Sequence, residues 1–178
     1  LIVGAVDGDN WEVAMGVTNL IPTAGIVIGG SVNPGSEISG NTFDEITNIG
    51  AADAAGVFVW GNMNGTIGCG LGIAIDETCK NTFTSITSTA GFAAGVDIGR
   101  YALLSEIYFG PPLPGNLGDG TEGSGTIRGN HFGTISGAVN GDNWSAVAMG
   151  VTNLIPTSGI VIGGSVNPGS EISGNTFD

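Results

Sequence analysis

Positive charge is almost absent from this sequence. Three cations, Lys80, Arg100 and Arg128, stand against 16 acidic residues, and the net charge is −13 over 178 residues. A surface of that sign cannot neutralise a phosphate backbone or settle on anionic lipid, which argues against nucleic acid and anionic membranes as partners. Long apolar runs are missing as well. No stretch reaches the length of about 18 residues that a membrane-spanning helix needs, so membrane insertion is not expected. Cysteine is scarce: Cys69 and Cys79 are too few for a small disulfide scaffold. The single histidine is His131. There is no initiator Met, and the sequence opens inside an apolar run, Leu1-Ile2-Val3, as a processed chain or a piece of a longer one would.

What is abundant is glycine, 34 residues, with 7 prolines beside it. No Gly-X-Y period accompanies them, which excludes collagen. Disordered chains are poor in apolar residues, whereas 41 % of this chain is hydrophobic. The expectation is a compact, glycine-rich fold with little charge.

Internal repetition gives that fold its form. Residues 14–44 recur as 148–178 with one difference, Ala24 against Ser158. Gly8-Asp9-Asn10-Trp11 recurs as Gly141-Asp142-Asn143-Trp144. The chain is therefore a module of 134 residues followed by the first third of another. A finer repeat lies within it. Ile38-Ser39-Gly40-Asn41-Thr42-Phe43 is echoed by Thr78-Cys79-Lys80-Asn81-Thr82-Phe83, by Ile127-Arg128-Gly129-Asn130-His131-Phe132, and by Ile172 to Phe177. Ile46, Ile86 and Ile135 each follow their Asn by five residues. A short apolar strand comes next: Ala55-Gly56-Val57-Phe58-Val59, Ala94-Gly95-Val96-Asp97-Ile98, and Ser158-Gly159-Ile160-Val161-Ile162.

Short apolar strands between Gly and Asn, repeated with variable inserts, describe parallel strands stacked into a solenoid. No segment carries a sustained helical period, and the glycine density opposes helix. Asn41, Asn81, Asn130 and Asn175 take equivalent corner positions, where an inward ladder of side-chain amides can satisfy buried polar groups. Phe43, Phe83, Phe132 and Phe177 form a core stack. Ile38, Thr78 and Ile127 are read as equivalent inward residues, with Thr78 the odd member. Coil starts fall near 38, 78, 127 and 172, at about three coils per module, and inserts fall near 61–72, 101–126 and 137–157. Gly40, Gly56, Gly95, Gly129 and Gly159 are read as corners and strand entries.

The phrase I-x-G-N-T-F, an Ile, then A-G-V-x-V resembles the repeat of the right-handed parallel β-helix superfamily, the pectate-lyase-like and NosD-like proteins. The resemblance implies an all-β fold, one continuous solenoid over residues 1–178. Its members include polysaccharide lyases and hydrolases, phage tailspikes and surface proteins. The enzymes among them need carboxylates on one face of adjacent coils. Here Asp44 aligns with Thr84 and Gly133, and Asp97 with Phe58 and Val161, so no carboxylate column forms and no catalytic residue is assigned. His131 falls in an outward row otherwise made of Thr. Arg100, three residues after Asp97, reads as its local ion-pair partner.

Asp7, Asp9 and Asp142 lie in Gly-containing turns with hard oxygen ligands, as does Gly118-Asp119-Gly120-Thr121-Glu122. None matches a full calcium loop, and the same residues make ordinary turns, so no cofactor is expected and calcium is the lesser reading. A disulfide between Cys69 and Cys79 would clamp an insert to the wall. Trp11, Trp60 and Trp144 lie in or beside inserts and could stack on surface glycans, although packing onto their own coil is the plainer expectation. The expected role is that of a structural protein: an extracellular filament or surface appendage whose partner is itself. A glycan-binding adhesin is the alternative, and a polysaccharide-degrading enzyme the weaker rival.

Overall fold

The structure is a computed structural model that describes residues 2–4, 23–49, 53–89, 92–99, 115–121, 123–137 and 157–178. The described residues are all-β, with no helix among them. After the short β1 (Ile2–Gly4), four passages of the chain follow one plan. The first carries β2 (Thr23–Ile28), β3 (Glu37–Ile38) and β4 (Thr42–Asn48). The second carries β5 (Ala54–Val59), β6 (Thr66–Gly68) and β7 (Thr82–Ser88). The third has β8 (Ala93–Ile98), β9 (Thr126–Arg128) and β10 (His131–Ser136). The fourth has β11 (Ser158–Ile162), β12 (Glu171–Ser173) and β13 (Thr176–Phe177).

Corresponding strands of successive passages pair in parallel. The sheets run β1-β4-β7-β10-β13, β11-β8-β5-β2 and β12-β9-β6-β3. The chain thus visits three parallel sheets in rotation, and each strand has sequence-remote neighbours. A fourth, thinner row of bridges joins Val32, Met63, Leu117 and Val166. Sequence sets this register through side-chain identity. Thr42, Thr82, His131 and Thr176 lie in one row, and Phe43, Phe83, Phe132 and Phe177 in the next. Strand pairing skips Asp44, Thr84 and Gly133, and each strand shifts its alternation there. Phe43 and Ile46, three residues apart, consequently both face inward and are buried.

The core fills the space between the sheets. Val57, Val59, Met63, Ile67, Phe83, Ile86, Val96, Ile98, Leu117, Ile127 and Phe132 are all fully buried there. By area bookkeeping, each such side chain stabilises the fold by about 1.5–3 kcal/mol relative to exposure.

Three expectations need correction. Thr78 does not stand in the row of Ile38. Ile38 pairs with Ile67, which pairs with Ile127, which pairs with Ile172, while Thr78 is exposed. The reason is an additional loop between β6 and β7, which separates Ile67 from Asn81. The second passage therefore starts its echo at Ile67, and 78 is not a coil start. The insert expected near 61–72 moves accordingly. Met63 and β6 belong to the common path, and the extra residues of this passage lie within 69–80. Gly56, Gly95 and Gly159 are not strand entries either, but lie within β5, β8 and β11.

Candidate functional site

The Asn column is built by a local device. Gly40, Gly129 and Gly174 precede their Asn with φ of 65°, 69° and 59°, a left-handed turn that glycine adopts without cost. That turn swings the next side chain inward. The Asn41 backbone N–H and Nδ2 donate to Asn81 Oδ1 at 3.0 and 3.1 Å. Asn81 Nδ2 donates to Asn130 Oδ1 at 3.0 Å and to the carbonyl of Ile38 at 2.7 Å. The N–H and Nδ2 of Asn130 donate to Asn175 Oδ1, both at 2.9 Å, and Nδ2 also reaches the Ile67 carbonyl at 3.1 Å. Asn175 Nδ2 reaches the Ile127 carbonyl at 2.9 Å. Asn81 and Asn130 are wholly buried, so these bonds satisfy groups that would otherwise lose water without compensation.

The Phe column runs beside it. Ring centroids are 4.7, 4.8 and 5.0 Å apart, with planes tilted by 5°, 6° and 10°. This is the spacing of neighbouring strands, so the rings repeat with the backbone. Offset stacking adds about 0.5–1.5 kcal/mol per aromatic pair beyond area burial. The recurrent strand glycines make room for it. A Cβ on Gly56, Gly95 or Gly159 would overlap the ring of Phe83, Phe132 or Phe177.

A second polar column lies one residue before the bridge row. Asn62 accepts from the backbone N–H of Asn116 at 3.0 Å, and Asn116 Oδ1 from that of Ser165 at 2.7 Å. Ser31 Oγ accepts from the Asn62 N–H at 3.0 Å. Sequence reasoning missed this column because Ser closes it at both ends and Asn appears only between. The signal was the polar residue directly before Val32, Met63, Leu117 and Val166.

Cys69 and Cys79 form a disulfide with Cα atoms 4.8 Å apart, closing the extra loop of the second passage. Arg128 of the third passage steadies the loop, donating to the carbonyls of Gly70 and Ile73 at 3.0 and 2.9 Å. Asp76 caps the loop's end by accepting from the Thr78 hydroxyl and N–H at 2.6 and 2.8 Å. These bonds, the hydroxyl's first, hold the Asp76 carboxyl below its ordinary pKa.

The two ends of the stack differ in cover. β1, β2 and β3 are the last strands at one end, and β11, β12 and β13 at the other. Val32 and Phe43 are 6 % and 7 % exposed in the first passage, whereas Val166 and Phe177 are 53 % and 59 % exposed in the fourth. These are the same residues of the same repeated sequence.

In the strand register Asp97 faces Phe58 and Val161. Arg100, its expected partner, lies outside the described residues. The His131 ring sits beside Thr176 Oγ1 at 3.0 Å and Asp178 Oδ2 at 3.3 Å. Asp119 Oδ1 accepts from the N–H groups of Thr121 and Gly123, both at 2.9 Å, the bonding of a tight turn. No cluster of three or more His, Cys, Asp or Glu suited to a metal occurs among the described residues. Asp7, Asp9 and Asp142 lie outside them, as do Trp11, Trp144 and most of the inserts expected at 101–126 and 137–157. Trp60 packs edge-on against Phe58 with centroids 5.9 Å apart, on its own wall. Among the described residues, no helix is long and apolar enough to cross a membrane. No family model, no curated protein and no solved structure matches the chain.

Proposed function

We propose that this chain is a structural repeat protein of an extracellular filament or surface appendage. In this reading it is a right-handed parallel β-helix whose passages continue along one axis, and it carries out no reaction. One observation carries the proposal. Successive passages pair strand for strand in three parallel sheets, and residues 159–178 repeat residues 25–44 without a change.

Other features support it. Parallel crossovers in one sheet are right-handed in about 98 % of cases, which supports the hand. A disulfide suits an oxidising compartment. Strong net negative charge keeps filaments dispersed. Electron microscopy of the native material tests the reading. Long uniform filaments are expected, and discrete particles with a cleft would contradict it.

A further inference from the structure

We infer that the Cys69–Cys79 loop is a redox-gated clasp across all four passages. It is closed while the disulfide stands and released when that bond is reduced, with the sheets left in place. The inference stands apart from the filament reading and needs no second chain.

The loop leaves the wall after β6 and returns at Asn81, yet its contacts reach beyond its own passage. On one side it meets the first passage, where the Gly40 N–H donates to the Cys79 carbonyl at 3.2 Å. On the other it meets the third. There Arg128 Nη1 donates to the carbonyls of Gly70 and Ile73, and the Cys69 N–H donates to the Arg128 carbonyl at 2.8 Å. The same guanidinium turns its Nε to Glu171 of the fourth passage at 3.7 Å. Ile75 reaches furthest. A Cβ on Gly129 would stand 2.8 Å from Ile75 Cγ2 and 3.2 Å from Cys69 Sγ, and one on Gly174 would stand 2.5 Å from Ile75 Cδ1. A Cβ on Gly40 would stand 2.7 Å from the Thr78 carbonyl oxygen. The loop therefore roofs the corner glycines of the three other passages. Its own passage has Lys80 at that place, where the loop itself ends.

Apart from the disulfide, little holds this roof down. Leu71 and Ile73 are 53 % and 54 % exposed and Ile75 is 44 % exposed, so the loop gains little from burial. Segments with few buried apolar contacts open at low cost. The disulfide joins the two feet of the loop, Cys69 bonded to the third passage and Cys79 to the first. Reduction parts those feet. The co-reactant is a dithiol: the S–S bond breaks, the dithiol is oxidised to its own disulfide, and its protons and an electron pair pass to Cys69 and Cys79, which become thiols. Neither cysteine lies in a strand, so the three sheets keep their pairing.

The test is amide hydrogen exchange on the purified chain, first oxidised, then reduced with excess dithiothreitol, then reoxidised, with thiol titration confirming each state. The reporter is the Gly129 N–H, which donates to the Ser173 carbonyl at 3.0 Å next to Ile75 and belongs to a different passage from the loop. Reduction should quicken its exchange by about tenfold, the size of one net hydrogen bond. Gly40 should quicken with it, and reoxidation should restore both. The amides of β7 and β10 should not change. Ile75→Ala, with its disulfide intact, should quicken Gly129 without reduction and leave Gly40 slow. Unmoved exchange at Gly129 in the reduced chain would overturn the clasp, leaving a tie local to one corner. Gly129 as protected in Ile75→Ala as in the parent would overturn it as well. So would loss of the β-sheet circular dichroism on reduction, since a gate must leave the sheets standing.

Discussion

The first and last passages are the same sequence in two environments. From Gly25 to Asp44 and from Gly159 to Asp178 no residue differs, yet Phe43 is 7 % exposed and Phe177 59 %. Local sequence therefore sets the shape of a passage, its turn, its ring position and its amide. Cover comes from the neighbour. The Phe and Asn columns obey this in opposite senses. A ring is stabilised by whatever lies on either face of it. Each Asn, by contrast, accepts from the passage before it, so its loss is felt one passage upstream.

The largest expected effect exploits the rings. Phe43→Ala should cost about 3–4 kcal/mol, as a buried Phe truncation does. Phe177→Ala should cost under about 1 kcal/mol, because most of that ring is already in water. Denaturant melts of the two variants measure the gap directly. Equal costs would break the comparison.

Reduction of the Cys69–Cys79 bond comes next. A loop of this size contributes about 2–4 kcal/mol, largely by restricting the unfolded chain. The Gly40 N–H donates to the Cys79 carbonyl at 3.2 Å, so hydrogen exchange should quicken at Gly40 while the Asn column stays protected.

The amides then reverse the order of the rings. Asn175→Ala removes the acceptor of two donors on the buried Asn130 and leaves the Ile127 carbonyl unmet, at about 1–3 kcal/mol per orphaned group. Asn41→Ala releases only the Ser39 carbonyl and one of the two donors to Asn81 Oδ1. The last passage should thus be the more sensitive to Asn and the less sensitive to Phe. Matching melts of the Asn pair check this.

The smallest effect is one of pH. The Asp76 carboxyl is held below its ordinary pKa by the Thr78 hydroxyl and N–H. A lowered folded pKa stabilises the charged form. The loop's gain is therefore present above the ordinary carboxylate range and lost as pH falls through the lowered value. Faster exchange of the Thr78 amide on acidification, with unchanged sheets, is the expected outcome. It should vanish in Asp76→Asn.

Much of the plan was legible in the sequence, because an Asn-x-Phe phrase two residues long in reach fixes both a corner and a ring. The spacings between Asn residues, 40, 49 and 45, are those that the hydrogen bonds span. The Ile67 row was obscured because residues 69–80 intervene before Asn81, and Thr78 stood at the spacing an Ile should occupy. The purpose of Gly56, Gly95 and Gly159 was hidden for a different reason. Their role is set by a ring more than 15 residues away in the chain, and no local turn requires them. The Ser31–Asn62–Asn116–Ser165 column changed residue type midway, which conceals a shared role from any search for one repeated letter.

The axial repeat of the native assembly is the decisive quantity. Helical reconstruction or fibre diffraction should give strand rows about 4.8 Å apart and a rise of roughly 14–15 Å for each module of three passages. A module rise far from that value, or a threefold axis with less than one passage per chain, would contradict it.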